Sequence, residues 1–205
     1  MRRVEAGEEI TISVAGRPSA VLIPVRPTRR RSWSDVADLF RGPADPDWGH
    51  DRDLIDNEID DAGYEMTSSE VGPGEVAPEE RAILDTSVVI DEGIMPIPGV
   101  LAISAVTLAE LHFGVLVAKT VDVRAERLRR LSVLQQRFDA LPVDDAVAAS
   151  YGRLAAAVAE TGRRPRRQVM DLLIAATARA HGARLYTRNA DDFAGLEALV
   201  EIVVV

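Results

Sequence analysis

Asp85 stands where a buried strand gives way to a helix, between the apolar run Ala82-Ile83-Leu84 and the segment Val88-Val89-Ile90. Ligands of open α/β sheets gather at the carboxyl ends of strands, so Asp85 is placed for chemistry. The plainer alternative is that it caps the helix. Glu110 falls about two turns into a helix, on a face shared with Val106, Phe113 and Val117, where an unpaired carboxylate is costly to bury. Asp171 interrupts the apolar run from Val169 to Ala176 in the first turns of its helix, a place that also favours an anion for electrostatic reasons alone. The segment Thr187-Arg188-Asn189-Ala190-Asp191-Asp192-Phe193 follows a strand directly, as Asp85 does. Three or four such oxygen side chains brought together would repel one another unless a cation lay between them. Hard oxygen ligands without His or Cys select Mg²⁺ or Mn²⁺. Such an ion activates water and neutralises a phosphate oxygen, so hydrolysis of a phosphodiester is the expected chemistry.

The elements that must position these acids lie between Arg81 and Val205, where strand and helix patterns alternate as in a parallel α/β sheet. Strands are predicted at Arg81 to Leu84, Val100 to Ile103, Arg184 to Tyr186 and Ile202 to Val205, with Leu141-Pro142-Val143 ending a further one. Helices are predicted from Ala105 to about Val117, Asp122 to Arg137, Asp144 onward, and Gln168 to His181, the last stopped by Gly182. The 205 residues have 47% hydrophobic and 28% charged side chains, ordinary for a globular protein with a real core. No apolar run approaches the roughly 20 residues of a membrane span, and the start has no secretory pattern. Cysteine is absent, so neither disulfides nor thiolate metal sites enter, and a cytoplasmic location is the default.

The net charge of -9 argues against coating of DNA by bulk attraction, but the charge is unevenly spread. Lys119 is the only lysine, and arginines cluster at Arg26 to Arg31, Arg124 to Arg130 and Arg163 to Arg167. Between Asp45 and Glu80 only Arg52 opposes a run of acids. Upstream, Glu9 to Val14 and Ala20 to Val25 alternate around the turn composition Ala15-Gly16-Arg17-Pro18-Ser19, which predicts a hairpin. Ser32 opens a short helix with Trp33, Val36, Ala37 and Phe40 on one stripe, Asp45 to Gly49 reads as extended, and Asp51 to Asp61 as a second short helix. Neither is long enough to persist alone, so both need a groove to fill. Residues 62–80 have linker composition and about a 25 Å average reach, enough to let the arm fold back.

The motifs Leu84-Asp85-Thr86-Ser87, Ser104 to Leu111, Met170 to Ala176 and Tyr186 to Phe193, in this order, resemble PIN-domain ribonucleases, above all the VapC toxins. The resemblance covers Arg81 to Val205. It implies a PIN-like parallel sheet flanked by helices and a Mg²⁺-dependent endoribonuclease whose acids are Asp85, Glu110 and Asp171. The fourth family position falls on Asn189, with Asp192 the neighbouring acid. Residues Val4 to Val25 resemble the later part of a Phd-type VapB antitoxin, more weakly through Asp61. In that family the missing front part serves dimerisation and DNA binding, so duplex DNA is the weaker expectation for a chain that begins inside it.

The expected organisation is therefore an antitoxin-like hairpin and arm at 1–61, a linker at 62–80 and a nuclease domain at 81–205. Trp33, Phe40 and Trp48 are expected to anchor the arm, while Arg41 or Arg52 approaches the acidic pocket and competes with metal. Arg163, Arg164, Arg166 and Arg167 are expected to hold the RNA backbone. The arm would act in cis or from another copy, and a homo-oligomer is left open. A non-enzymatic DNA-binding regulator with structural acids is the alternative. A haloacid-dehalogenase phosphatase needs a second Asp where Ser87 stands.

Overall fold

The structure, a computed structural model, describes residues 10–14, 17–22, 31–41, 45–52, 54, 81–91 and 94–205. The linker expected at 62–80 and most of the second arm helix lie outside the described residues. Four strands form one parallel sheet: β3 (Arg81–Leu84), β4 (Val100–Ala102), β5 (Arg184–Thr187) and β6 (Ile202–Val204), in the order β4-β3-β5-β6. Upstream, β1 (Ile10–Val14) and β2 (Arg17–Leu22) make the antiparallel hairpin. Its second strand starts at Arg17, three residues before the predicted position. The pairing shifts register between Ile12 and Ser13, opposite Pro18, and an irregular pairing tolerates a residue with no N–H.

Side chains of the central strands divide between the two faces of the sheet, as the pleat requires. Ile83 and Leu185 join a core with Val106, Leu154, Leu172, Ile174 and Phe193. Ala82, Leu84 and Tyr186 join the opposite core with Leu101, Leu111, Leu131, Leu134 and Phe138. This second core also contains Val36, Phe40 and Trp48 of the arm, which are at most 3% exposed. The arm is thus a structural layer of the domain.

Its first helix, α1 (Trp33–Val36), starts at Ser32, whose backbone N–H donates to Asp35 Oδ2 at 2.8 Å, and continues as a 3₁₀ turn at Ala37–Phe40. The tighter turn still brings Trp33 and Phe40 together, their rings stacked at 5.0 Å. The second helix, α2 (Pro46–Arg52), replaces the extended stretch predicted at Asp45 to Gly49. Proline is favoured at the first helical position, and the Asp47 N–H donates to Asp45 Oδ1 at 3.2 Å, so Asp45-Pro46 is a start signal rather than a break. At the sheet edge, the Leu101 N–H donates to Arg31 O at 2.7 Å, tying the arm to β4.

Between the strands run α3 (Thr86–Ile90), α4 (Ala105–Leu116), α5 (Val121–Arg137), α6 (Asp145–Glu160) and α7 (Val169–Ala180). Gly182 follows α7 at φ +57°, as its predicted C-terminal role requires. Pro165–Gln168 forms a 3₁₀ turn ahead of α7, so the helix proper begins one residue after the predicted start. The strand predicted to end at Leu141-Pro142-Val143 is a single bridge from Leu141 to Ser104. Pro142 has no N–H to continue the ladder.

Candidate active site

The parallel register of β3 and β5 sets Leu84 beside Tyr186, and the Asp85 N–H donates to Tyr186 O at 2.9 Å. Asp85 and Thr187 therefore emerge side by side at the carboxyl edge. Asp85 is 1% exposed, and the described hydrogen bonds of its carboxylate all fall on one oxygen. Oδ2 accepts from Thr187 Oγ1 at 2.9 Å, from Ser87 Oγ at 2.5 Å and from the Ser87 N–H at 3.4 Å. The two hydroxyls accept in turn from the strand-end backbone: Asn189 N–H to Thr187 Oγ1 and Arg188 N–H to Ser87 Oγ, both at 3.0 Å. The side-chain hydroxyls and the Ser87 N–H thus converge on Oδ2. Oδ1 is buried and has no hydrogen-bond partner.

A buried carboxylate oxygen without a donor is costly, and native proteins rarely leave one. A cation at Oδ1 would remove that cost, and the hydroxyl cage would fix the carboxylate orientation from behind as supporting groups do in metal sites. The donor set is all oxygen, which suits Mg²⁺ or Mn²⁺. The residues present therefore fit a hard divalent ion.

Glu110 is 4% exposed on α4, and its Oε2 accepts from the Thr86 hydroxyl, the residue next to Asp85. Asp85 and Glu110 are thus joined through consecutive residues. Asp171 lies partly exposed in the first turn of α7, which packs on β3, β5 and α4. Asn189 Nδ2 donates to Asp192 Oδ2 at 2.7 Å, so the amide orients the acid and its backbone N–H serves the Asp85 cage. Among the described residues, no three acidic or histidine side chains converge tightly enough to hold an ion on their own. The expected close cluster of three or four oxygens is not formed among the described residues, where Glu110 accepts from Thr86 and Asp192 from Asn189. Mg²⁺ accepts such a site, since it binds through one or two carboxylates and keeps several waters.

Of the predicted RNA-contact arginines, Arg163 donates to the carbonyls of Ala194 at 2.9 Å and Asp191 at 3.2 Å, bracing the loop after β5. Arg164 is exposed, and the side chains of Arg166 and Arg167 lie outside the described residues. In the arm, Arg41 is exposed, and the side chain of Arg52 lies outside the described residues.

The described charge pairs between arm and domain run opposite to the direction expected of Arg41 or Arg52. Arg127 of α5 is 1% exposed, and its guanidinium donates to Asp45 Oδ2 at 2.5 Å and Oδ1 at 3.1 Å and to Asp51 Oδ2 at 2.7 Å. Arg137 donates to Asp38 Oδ2 at 3.0 Å. Sequence reasoning missed Ser87, Thr187, Gly114 and Arg127. The signals were present in two cases: Gly114 is a glycine inside a helix, and Arg127 shares the apolar face of Leu131 and Leu134.

The hydrogen bond from Arg127 holds Asp45 below the usual carboxylate range, outweighing the opposing effect of burial. A depressed folded pKa contributes stability above the unfolded value, about 4, that is lost as pH falls through the folded one. The arm is therefore expected to loosen on acidification below about pH 4, read as faster hydrogen exchange in α2. Asp45→Asn should remove part of that acid sensitivity.

Comparison with known proteins agrees with this fold. Residues 82–198 match the PIN domain family. Ribonuclease VapC5 of Mycobacterium tuberculosis is 41% identical over 131 residues, covering 60% of this chain and 93% of its own. Putative antitoxin VapB5 of the same organism is 57% identical over 49 residues, 22% of this chain and 57% of the antitoxin, in the N-terminal part. The crystal structure of VapBC-5 from M. tuberculosis aligns with a TM-score of 0.51 at 41% identity, over 61% of this chain and 97% of that one. With the strand-end acid, the parallel sheet and both halves of the pair represented in one polypeptide, the chain belongs to the PIN-domain family as a VapC-type ribonuclease toxin preceded by a VapB-like antitoxin segment.

Proposed function

We propose that residues 81–205 are a Mg²⁺- or Mn²⁺-dependent endoribonuclease, and that the arm in residues 1–61, joined by the linker at 62–80, holds it inactive in the same chain. The observation that carries the metal requirement is the unpartnered, buried Oδ1 of Asp85. When bound there, a divalent ion supplies an activated water and neutralises phosphate charge. The chain's own residues do the rest. Ser87 and Thr187 lock the Asp85 carboxylate in one orientation. Thr86 holds Glu110 beside it, and Glu110 and Asp171 are the further acidic groups proposed for the site. Asn189 holds Asp192 at the rim.

RNA is the proposed substrate, consistent with the ribonuclease relatives. Arg164 offers an exposed guanidinium for the phosphate backbone, Arg166 and Arg167 are proposed beside it from the sequence alone, and Arg163 braces the adjacent loop. Phosphate contacts of this kind make binding fall steeply between about 50 and 200 mM salt. RNA binding by the arm-free domain should show that slope, and Arg164→Ala should flatten it by about one contact; a salt-insensitive complex would refute the assignment. Among the described residues no helix is long and apolar enough to cross a membrane.

The direct test of the metal site is calorimetric titration of the purified chain with Mn²⁺. One site of divalent affinity is expected, lost in Asp85→Asn. Equal binding by both proteins would remove the proposed centre.

A further inference from the structure

Helix α2 of the arm lies across α4 and α5 with an unusual fit. A Cβ placed on Gly114 of α4 would sit 2.1 Å from Trp48 Nε1 and 2.5 Å from Trp48 Cδ1, so the indole occupies the room that any other residue would fill. Arg127 Cζ lies 5.3 Å from the centroid of that ring, and Arg130 Cζ lies at 6.0 Å. The same Arg127 donates to Gly114 O at 2.6 Å and to Asp45 and Asp51. Asp45, Trp48 and Asp51 are spaced by three residues each and therefore share one side of a helix. A buried guanidinium needs this many partners, because desolvation without pairing is prohibitive.

We propose that Gly114 and Arg127 form a socket that reads an acidic helix of the pattern Asp-x-x-Trp-x-x-Asp, and that this socket decides which antitoxin-type segment can seat on the nuclease. The occupant is Asp45 to Asp51 of this chain. The ring selects by shape, because only a glycine at position 114 admits it. The two carboxylates select by charge, because an uncharged or basic helix would leave Arg127 buried and unpaired. Trp48 Nε1 is itself buried with no hydrogen-bond partner, so the ring is held by packing and by the cations over its face, not by its N–H. The inference rests on the reading of this segment as the nuclease's own arm, yet it concerns attachment and not inhibition.

The test is made on the full chain. Arg127→Asp is expected to speed amide exchange of residues 47–51 on the order of a hundredfold, since breaking one side of a buried ion pair is strongly destabilising. Combining it with Asp51→Arg should recover at least about tenfold of that loss, which separates a broken socket from a misfolded domain. Gly114→Ala should also release the segment, but should add nothing in a Trp48→Ala background. Finally, a labelled peptide of residues 31–54 carrying Asp45→Lys and Asp51→Lys should bind the Arg127→Asp chain at least about tenfold more tightly than the natural peptide does. Equal binding of the two peptides, or unchanged exchange in Arg127→Asp, would overturn the socket. RNA cleavage is measured beside these readouts: a released segment without a rise in cleavage supports the socket and refutes inhibition by the arm.

Discussion

Replacing Asp85 by Ala in the arm-free nuclease, residues 81–205, is expected to lower RNA cleavage by about three orders of magnitude, corresponding to a few kcal/mol of transition-state stabilisation. The size follows from the place of this carboxylate. It is buried at the end of a central strand, three donors hold Oδ2, and Oδ1 is buried without a hydrogen-bond partner. Asp85→Asn keeps the shape and an acceptor for the hydroxyls while removing the charge, so it should melt close to the parent and still be inactive. Thr187→Val should be milder, about tenfold, because it removes one of the three donors and leaves the charge in place. Cleavage that survives Asp85→Asn at parental rate would place the reaction elsewhere.

Trp48→Ala in the full chain is expected to raise RNA cleavage on the order of a hundredfold. The side chain is 2% exposed within the same core as Leu84 and Tyr186, and truncating a buried Trp costs about 3–5 kcal/mol. Each 1.4 kcal/mol is about tenfold in the balance between seated and released arm, so the cost exceeds what the rise requires. Trp48→Phe keeps an aromatic face but removes one ring of the indole together with an N–H that has no partner, so a smaller rise, about tenfold, is expected. The comparison separates packing of the ring from hydrogen bonding by it. RNA cleavage unchanged in Trp48→Ala, with α2 demonstrably released by hydrogen exchange, would show that the arm does not restrain the enzyme.

Much of the domain was legible in the sequence because local pattern and global fold agree there. Ala82-Ile83-Leu84 is apolar on both faces because both faces are covered, and its following acid had to fall at the sheet edge. Ser104 was readable as an N-cap, and its Oγ accepts from the Thr107 N–H at 2.9 Å. Trp33, Phe40 and Trp48 were readable as anchors because large rings on short helices have nowhere else to go; Phe40 and Trp48 are buried and Trp33 packs against the same core.

What the sequence did not disclose depends on partners far apart along the chain. The cage around Asp85 unites Ser87 with Thr187, one hundred positions away, and nothing in either neighbourhood announces the other. The direction of the charge pairing was misread for a related reason. The acidic stretch of the arm at 32–61, with only Arg41 and Arg52, invites attention to those arginines, whereas its acids meet the buried Arg127 of α5. The start of α2 is a different kind of error, since Asp45-Pro46 carries a helix-start signal within a stretch that reads as extended.

The most direct measurement compares RNA cleavage by the full chain and by residues 81–205, each with Mg²⁺ and with a chelator in excess. Cleavage is expected in only one of the four reactions, the arm-free domain with Mg²⁺. Equal cleavage by both proteins would contradict restraint by the arm, and cleavage that persists in the chelator would contradict the metal centre at Asp85.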